Sequence, residues 1–205
     1  MIKKVALYDF DNTVAKGDSI VKLLIDNITK HPLHIFKFFK VGIIYILYLC
    51  HLSTFEKAKS ALLFPLNDMD EQQLELFYND KIVPTYYPNV VETMQQYHDN
   101  GYIVILCTAS SEAWMKYNQL PIDKLIGTKT KPHSSEIIGK NCKNQHKIDL
   151  IKEYLDSINV QIDYDNSYAY SDSDFDIPML SLVKNRKRVL LKTGQIVDFI
   201  PKKQS

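Results

Sequence analysis

Two acidic pairs follow apolar runs in this sequence, and both pairs suit chemistry at a single site. Asp9 and Asp11 come directly after the first apolar run, and Asp172 and Asp176 come after a later one. Residues i and i+2 in a loop after a strand point the same way, so Asp9 and Asp11 crowd negative charge unless a cation or proton lies between them. Mg²⁺ takes oxygen ligands from a few carboxylates and a substrate phosphate. The four aspartates are therefore candidate magnesium ligands, although an acidic turn or a helix N-terminus would explain each pair separately.

A second set of residues is suited to hold a phosphoryl group. Thr108 follows the apolar run 102–107, and we expect Ala109 and Ser110 to open the next helix. A hydroxyl and free backbone N–H groups at a helix N-terminus form an anion site. Lys147, at the start of another predicted helix, could neutralise a phosphoryl oxygen. The alternative interpretations are an ordinary Thr/Ser helix cap and a solvated surface lysine.

The elements that must position these residues form an alternating pattern. Short apolar runs predict strands, and the runs after residue 84 alternate with helical segments, which indicates a parallel sheet covered on both faces. Ligands of open parallel sheets bind at the carboxyl ends of the strands, where the polar clusters lie. The predicted strands are 3–8, 102–107, 124–128, 167–171 and 188–191, and the predicted helices of this part are 89–100, 145–155 and 175–183.

The segment between the first strand and residue 84 is predicted to be helical throughout. Four helices joined by short connectors indicate a bundle inserted into the α/β domain. We expect Ser53 and Asp68 to cap the third and fourth of these helices. The predicted organisation is an α/β core domain of residues 1–16 and 84–205 with a helical cap domain of residues 17–83.

The composition excludes several classes of protein. The chain has 205 residues, 25 Lys+Arg, 24 Asp+Glu and a net charge of +1. This near-neutral charge argues against a nucleic-acid partner. Three scattered cysteines suit neither a disulfide framework nor a zinc site, and the first residues lack a signal-peptide pattern. We therefore expect a cytoplasmic protein.

The order of the motifs resembles the haloacid dehalogenase (HAD) superfamily. The run D-F-D-N-T begins at Asp9, T-A-S begins at Thr108, a lysine lies downstream at Lys147, and D-S-x-x-D begins at Asp172. The helical insertion resembles the C1 cap of subfamily IB, which holds phosphoserine phosphatase-like and phosphatidylglycerophosphate phosphatase-like enzymes. The resemblance implies a Rossmann-like parallel sheet core with a helical-bundle C1 cap inserted after the first strand.

The resemblance also implies a role for each acidic residue. Asp9 would be the nucleophile that forms an aspartyl-phosphate, and Asp11 the general acid and then the general base. Asp9, the main-chain carbonyl of Asp11, and Asp172 would hold Mg²⁺, with Asp176 in support. Dehalogenases of the superfamily lack the second carboxylate and need no metal, so Asp11 favours phosphoryl chemistry.

The phosphoryl-binding residues implied by the resemblance are Thr108, with the adjacent Ala109 and Ser110, and Lys147. The family often has glycine in the turn before the lysine, whereas this chain has Lys143 and Asn144. Asn tolerates left-handed backbone better than most residues, so we expect the turn to survive. Lys143 remains the alternative phosphate-binding lysine.

Three functions remain open. The first is a Mg²⁺-dependent phosphomonoester hydrolase acting on a small phosphorylated metabolite. The second is the same chemistry on a lipid phosphate, phosphatidylglycerophosphate-like, at a membrane. The third is a catalytically silent binding protein. The sequence has no arginine before Arg186, so the cap cannot offer a bidentate guanidinium to an amino-acid carboxylate, which argues against phosphoserine.

The cap segment 33–49 is unusually apolar. One interpretation is a cap that makes peripheral contact with a membrane, with Lys30, Lys37 and Lys40 near the lipid headgroups. The other, which we favour from sequence, is a buried bundle helix or a homodimer contact, because an apolar helix face usually lies in a core. The uninterrupted apolar run is shorter than the roughly 20 residues of a simple transmembrane helix.

Overall fold

Apolar strands form the centre of the molecule. In residues 1–201, which the computed structural model describes, six strands make one sheet in the order β4-β3-β2-β6-β7-β8, and β1 and β5 pair separately. The strands are β1 (Ile2–Lys3), β2 (Val5–Tyr8), β3 (Ile103–Ser111), β4 (Lys124–Thr128), β5 (Gln161–Ile162), β6 (Tyr168–Ser171), β7 (Asn185–Val189) and β8 (Ile196–Asp198).

The pairing of the sheet brings three strand ends together. β2 lies between β3 and β6 and runs parallel to both, so that Tyr8 pairs with Leu106 on one side and with Tyr170 on the other. β4 and β7 extend the parallel sheet, and β8 closes its edge antiparallel to β7. The predicted α/β fold with a parallel sheet is confirmed.

Helices cover the sheet and form the insertion. They are α1 (Ser19–Lys30), α2 (Lys37–Leu49), α3 (Phe55–Leu62), α4 (Glu71–Phe77), α5 (Pro88–Asp99), α6 (Glu112–Met115), α7 (Asn144–Ser157) and α8 (Ile177–Leu180). A 3₁₀ turn, Pro32–Phe36, leads into α2, and a π-helical turn, Tyr78–Ile82, follows α4. Helices α1 to α4 lie between β2 and α5 in the chain, whereas the exact domain limits at residues 16/17 and 83/84 stay predictions.

Two apolar clusters hold these layers together. Alternate residues of β2 point to opposite faces, so Tyr8 joins one cluster and Leu7 joins the other. The Tyr8 cluster also contains Leu23 and Leu74 of the cap helices, together with Trp114 of the core. Burial of apolar surface therefore holds the cap against the sheet as well as holding the sheet together.

Several predicted details were wrong. Thr54 caps α3 instead of Ser53, and Asp70 caps α4 instead of Asp68, because these side chains accept the bonds from Lys57 and Gln73 N–H groups. The edge strands β5 and β8 were not predicted at all. Both are short, and β8 carries Asp198 at its exposed end, so neither has the apolar pattern of a central strand.

The expectation that the segment 33–49 is a buried bundle helix was also wrong. No residue of α2 is buried. Several of its apolar side chains, among them Phe39 and Ile46, are exposed.

Candidate active site

The candidate site lies at the carboxyl ends of β2, β3 and β6. The main-chain N–H of Asp9 donates to the carbonyl of Tyr170 at 3.0 Å, so the chain after β2 stays paired with β6 as it leaves the sheet. Asp172 follows β6 directly, and Thr108 lies near the end of β3. The parallel register thus brings together residues that are far apart in sequence.

A buried lysine joins two of the predicted aspartates. Lys147 Nζ donates to Asp9 Oδ1 at 2.9 Å and to Asp176 Oδ1 at 2.7 Å, and the lysine is 3% exposed. Burial by itself lowers the pKa of Lys147, but the charges of Asp9 and Asp176 outweigh it, so that its pKa is raised. The lysine is therefore a permanent cation at the base of the site.

The environment of Asp9 is set by the same contacts. Burial raises the pKa of Asp9 to about 7; the charge of Lys147 opposes this shift, and the charge of Asp176 adds to it. Lys147 engages one carboxylate oxygen, Oδ1, while Oδ2 lies toward the loop after β2. Asp9 accordingly presents one anchored oxygen and one oxygen available for other contacts.

Thr13 lies between Asp9 and Asp172. Its Oγ1 is 3.4 Å from Asp9 Oδ2 and 3.4 Å from Asp172 Oδ1, and it accepts the main-chain N–H of Asp172 at 3.0 Å. A hydroxyl has one proton, so it can donate to one of these carboxylates at a time. The tight turn is completed by Asn12, whose φ of 62° lies in the left-handed region.

The donor set fits a hard divalent cation. Burial raises the pKa of Asp172, and Asp172 makes no ion pair within the part of the chain that the structure describes. Two neighbouring carboxylates that share one hydroxyl proton leave negative charge that a cation would neutralise. The described residues hold no cluster of three or more His, Cys, Asp or Glu side chains around one point, so a cation would take its other ligands from main-chain carbonyl, water or substrate.

The side chain of Asp11 is turned away from Lys147. Asp11 Oδ1 accepts the N–H of Ser19 at 2.8 Å, and Oδ2 accepts the hydroxyl of Ser110 at 2.6 Å. Burial, and then the charge of Asp18, raise the pKa of Asp11. A raised pKa widens the pH range in which the Asp11 carboxyl group is protonated and can donate a proton. Because both carboxylate oxygens of Asp11 accept these hydrogen bonds, the main-chain carbonyl of Asp11 is the group better suited to bind a cation.

The predicted phosphoryl-binding residues Ala109 and Ser110 lie in a strand and do not open a helix, so that structural expectation was wrong. β3 continues through Ser111, with an irregularity in its pairing with β4 after Cys107, and the short α6 begins at Glu112. Thr108 is buried and accepts the N–H of Ser110 at 3.0 Å. Ala109 and Ser110 line the cavity, and the irregularity allows this part of the strand to face it.

The turn before Lys147 confirms the expectation for Asn144, whose φ is 51°. Lys143, the alternative lysine, is exposed, and its Nζ lies 4.7 Å from the centroid of the Phe175 ring. It lines the same cavity but makes no ion pair with an aspartate of the described chain. The geometry therefore assigns the buried contact to Lys147.

Sequence reasoning missed Lys59 of the cap. Lys59 is 6% exposed, and its Nζ donates to the carbonyl of Ala109 at 2.5 Å and to Asn141 Oδ1 at 2.5 Å. Burial lowers the pKa of Lys59 to about 8. A signal was available, because Lys59 lies four residues after Phe55 and three before Leu62, which places it on the apolar face of α3.

Arg188 was also missed. It donates to the carbonyl of Asp172 at 2.9 Å and forms an ion pair with Asp174, and so holds the loop after β6 in place. The sequence around Arg188 gave no indication of this contact, which depends on the pairing of β7 with β6.

A cavity of about 600 Å³ opens over these residues, between core and cap. Its floor carries Asp9, Asp11, Lys147, Asp172 and Asp176, and its cap wall carries Phe38, Val41, Gly42, Tyr45, Phe55, Leu62 and Lys59. The cavity therefore combines a charged floor with a mainly apolar wall. This arrangement suits a ligand with an anionic group at one end and less polar atoms at the other.

Comparison with known protein families identifies one family that covers most of the chain. The family described as haloacid dehalogenase-like hydrolase matches residues 6–181. Among curated protein sequences, none matches the chain.

Solved structures share the fold at low sequence identity. A protein of unknown function from Bordetella pertussis Tohama I is 20% identical, with 91% of this chain and 89% of that chain covered and a TM-score of 0.75. A phosphoserine phosphatase, solved as a phospho-aspartyl intermediate analogue, is 17% identical, with 91% and 86% covered and a TM-score of 0.61. A phosphoserine phosphohydrolase-like protein from Francisella tularensis is 17% identical, with 89% and 85% covered and a TM-score of 0.56. At these identities the likeness is one of fold.

Proposed function

Since this chain belongs to the haloacid dehalogenase-like hydrolase family, we propose that it is a phosphomonoester hydrolase that uses Asp9 as its nucleophile. The observation that carries the proposal is the contact of Lys147 Nζ with Asp9 Oδ1 at 2.9 Å at the floor of the cavity. A carboxylate and a phosphate dianion repel each other, and a buried permanent cation beside the nucleophile reduces that repulsion.

The first step transfers the phosphoryl group to Asp9. A carboxylate oxygen of Asp9 forms a bond to phosphorus as the bond between phosphorus and the ester oxygen breaks. The product alcohol takes a proton from Asp11, and the aspartyl-phosphate remains on the enzyme. Lys147 stabilises negative charge on the phosphoryl oxygens during the transfer.

The second step hydrolyses the aspartyl-phosphate. Asp11, now ionised, accepts a proton from a water molecule as the water oxygen bonds to phosphorus, and the bond to Asp9 breaks. The Asp11 carboxyl group is oriented for both steps by the N–H of Ser19 and the hydroxyl of Ser110. One group thus acts as acid and then as base.

Mg²⁺ is the cofactor that the donor set favours. Held by Asp9, Asp172 and the main-chain carbonyl of Asp11, with Asp176 in support, the ion would supply Lewis-acid stabilisation of phosphoryl charge. Asp176 supports this arrangement through Lys147 Nζ at 2.7 Å and the Ser171 hydroxyl at 2.7 Å.

We propose that the substrate is a small phosphorylated metabolite that enters the cavity from solution. A lipid phosphate is the second candidate, and the apolar cap wall, with Phe38, Val41 and Tyr45, favours it. The fold resembles phosphoserine phosphatases, but the cap contains no arginine, the residue best suited to bind an amino-acid carboxylate with two hydrogen bonds.

The test is turnover of a panel of phosphate esters, including lipid ones, with and without Mg²⁺. We expect Mg²⁺-dependent release of phosphate by the wild-type protein and loss of activity to background in Asp9→Asn. The matched control is Asp165→Asn, whose carboxylate forms an exposed ion pair with Lys184 far from the cavity lining. Wild-type protein without turnover on the whole panel would instead support the catalytically silent binding protein, and an active Asp9→Asn would refute the nucleophile.

A further inference from the structure

The outer face of α2 is an exposed apolar surface. Its largest members project from the cap into solvent, and Phe39 is 79% exposed. Together with the preceding 3₁₀ turn and the following loop, this surface, here called the α2 outer face, comprises Leu33, Phe36, Phe39, Ile43, Ile46, Leu49 and Leu52. A contiguous apolar patch of this kind on a soluble protein marks an interaction surface.

Three residues of the same helical segment, His34, Lys37 and Tyr48, contact the rest of the cap. His34 Nδ1 hydrogen-bonds Asn27 Oδ1 at 2.8 Å, Lys37 Nζ donates to Asp68 at 2.7 Å, and the Tyr48 ring packs on Phe55 at 5.8 Å between centroids. The inner side of the helix also carries Phe38, which packs on Phe64 at 5.7 Å between centroids, so α2 is apolar on both its inner and its outer side. Contacts near both of its ends hold it in this orientation on the cap.

The charged residues in the segment that carries the α2 outer face are all lysines. Residues 27–55 contain Lys30, Lys37 and Lys40 and no Asp or Glu. Lys40 is exposed and makes no ion pair in the described part of the chain, whereas Lys30 pairs with Asp26 and Lys37 pairs with Asp68. An apolar face edged by lysines, on a segment without carboxylates, complements an anionic lipid surface.

We propose that the α2 outer face docks the cap on an anionic lipid bilayer, with the helix lying in the plane of the interface. The segment Pro32–Leu49 is long and apolar enough to span a bilayer by length and composition, with a mean hydropathy of 1.5. Its two ends, however, are tied to residues of the same cap, which suits a helix lying on the surface. A second copy is the poorer occupant, because it would bring the exposed Lys40 of one chain close to that of the other, with no carboxylate in residues 27–55 to pair with it.

Docking would place the cavity mouth at the membrane. The edge of α2 that carries Phe38, Val41 and Tyr45 forms the apolar wall of the cavity, next to the α2 outer face. This membrane-docking proposal does not depend on the proposed phosphatase function, because binding to vesicles is measured without substrate.

The experiment is co-sedimentation with vesicles of phosphatidylcholine, with and without phosphatidylglycerol. The variants are Phe39→Glu and Ile46→Glu, and the matched control is Ile200→Glu, whose side chain is 75% exposed on the core. Circular dichroism melts establish that each variant is folded. Two separate positions keep the test decisive if one variant misfolds.

We expect the wild type and Ile200→Glu to bind vesicles that contain phosphatidylglycerol, and Phe39→Glu and Ile46→Glu to bind them about tenfold or more weakly. Wild-type protein that stays in the supernatant would overturn the proposal, as would folded variants that bind as well as the wild type. A wild-type dimer in light scattering that Phe39→Glu converts to a monomer, without vesicle binding by either, would assign the face to a second copy instead.

Discussion

Lys147 Nζ and Asp9 Oδ1 lie 2.9 Å apart although 138 residues separate them in sequence. Both groups are buried, and the lysine reaches Asp176 as well. The contact joins the first turn of α7 to the loop after β2, and it makes the lysine part of both the structure and the proposed chemistry.

The first prediction concerns the choice between two lysines. Lys147→Met leaves Asp9 and Asp176 buried without their cation, so we expect phosphatase activity to fall to background and the free energy of unfolding to drop by about 3–5 kcal/mol. Lys143→Met removes an exposed contact with Phe175, which is worth about 0.5–1 kcal/mol. Kinetics and urea unfolding measure both quantities, and equal effects of the two variants would contradict the assignment of Lys147.

The second prediction separates the two roles of Asp11. In Asp11→Asn we expect kcat to fall about 10²- to 10⁴-fold for alkyl phosphates, whose leaving group needs a proton. With p-nitrophenyl phosphate the leaving group is stable as an anion, so phosphorylation of Asp9 should persist while hydrolysis of the aspartyl-phosphate slows. Rapid-quench kinetics should then show a burst of nitrophenol. A linear time course with an unchanged steady-state rate would argue against Asp11 as acid and base.

The third prediction is a pH dependence that arises from Lys59. Burial lowers its pKa to about 8, so in the free enzyme Lys59 is a cation below that pH and neutral above it. An anionic substrate binds the cationic form better, and kcat/KM should therefore decrease as the pH rises through about 8.

The control for this prediction is Lys59→Arg, because the pKa of arginine is higher and its charge persists. We expect the alkaline decrease to disappear in Lys59→Arg, and kcat/KM of Lys59→Met to be low at all pH values. A decrease near pH 8 that persists in both variants would belong to another group.

The fourth prediction tests the apolar wall of the cavity. Gly42 of α2 lines the cavity, and a Cβ added there meets no atom within 4 Å. Gly42→Leu should fold normally and fill part of the space beside the apolar wall. For phosphate esters with a long alkyl chain, we expect KM to rise roughly 10- to 100-fold, with little change for a small ester.

The matched control here is Gly42→Ala, which adds one methyl group and should leave both substrates unaffected. Equal KM values for short and long esters in the wild type, unchanged in Gly42→Leu, would show that the apolar wall does not contact substrate. That result would favour the small metabolite over the lipid phosphate.

The local pattern of the sequence determined the strands that end at the site. The apolar runs before Asp9, Thr108 and Asp172 are short and continuous, which is the pattern of strands buried on both faces. Parallel strands end at one edge, so the grouping of these residues followed from the pattern. The left-handed turn at Asn144 could also be expected, because it depends on one residue's backbone preference.

The tertiary structure alone decided which side chains meet. Lys143 and Lys147 both lie near the start of α7, and the packing of that helix against the sheet selects the one that reaches Asp9. The buried position of Lys59 depends likewise on Ala109 and Asn141, which lie far from it in sequence.

The orientation of α2 is the clearest example of a feature that the sequence alone did not determine. Its sequence defines an apolar face and a polar stripe, and both are compatible with a buried helix or an exposed one. His34 and Lys37 hydrogen-bond Asn27 and Asp68 of the cap, and Phe39 on the opposite side of the helix lies in solvent. Periodicity describes what each face of a helix is made of, whereas the direction that a face points depends on partners elsewhere in the chain.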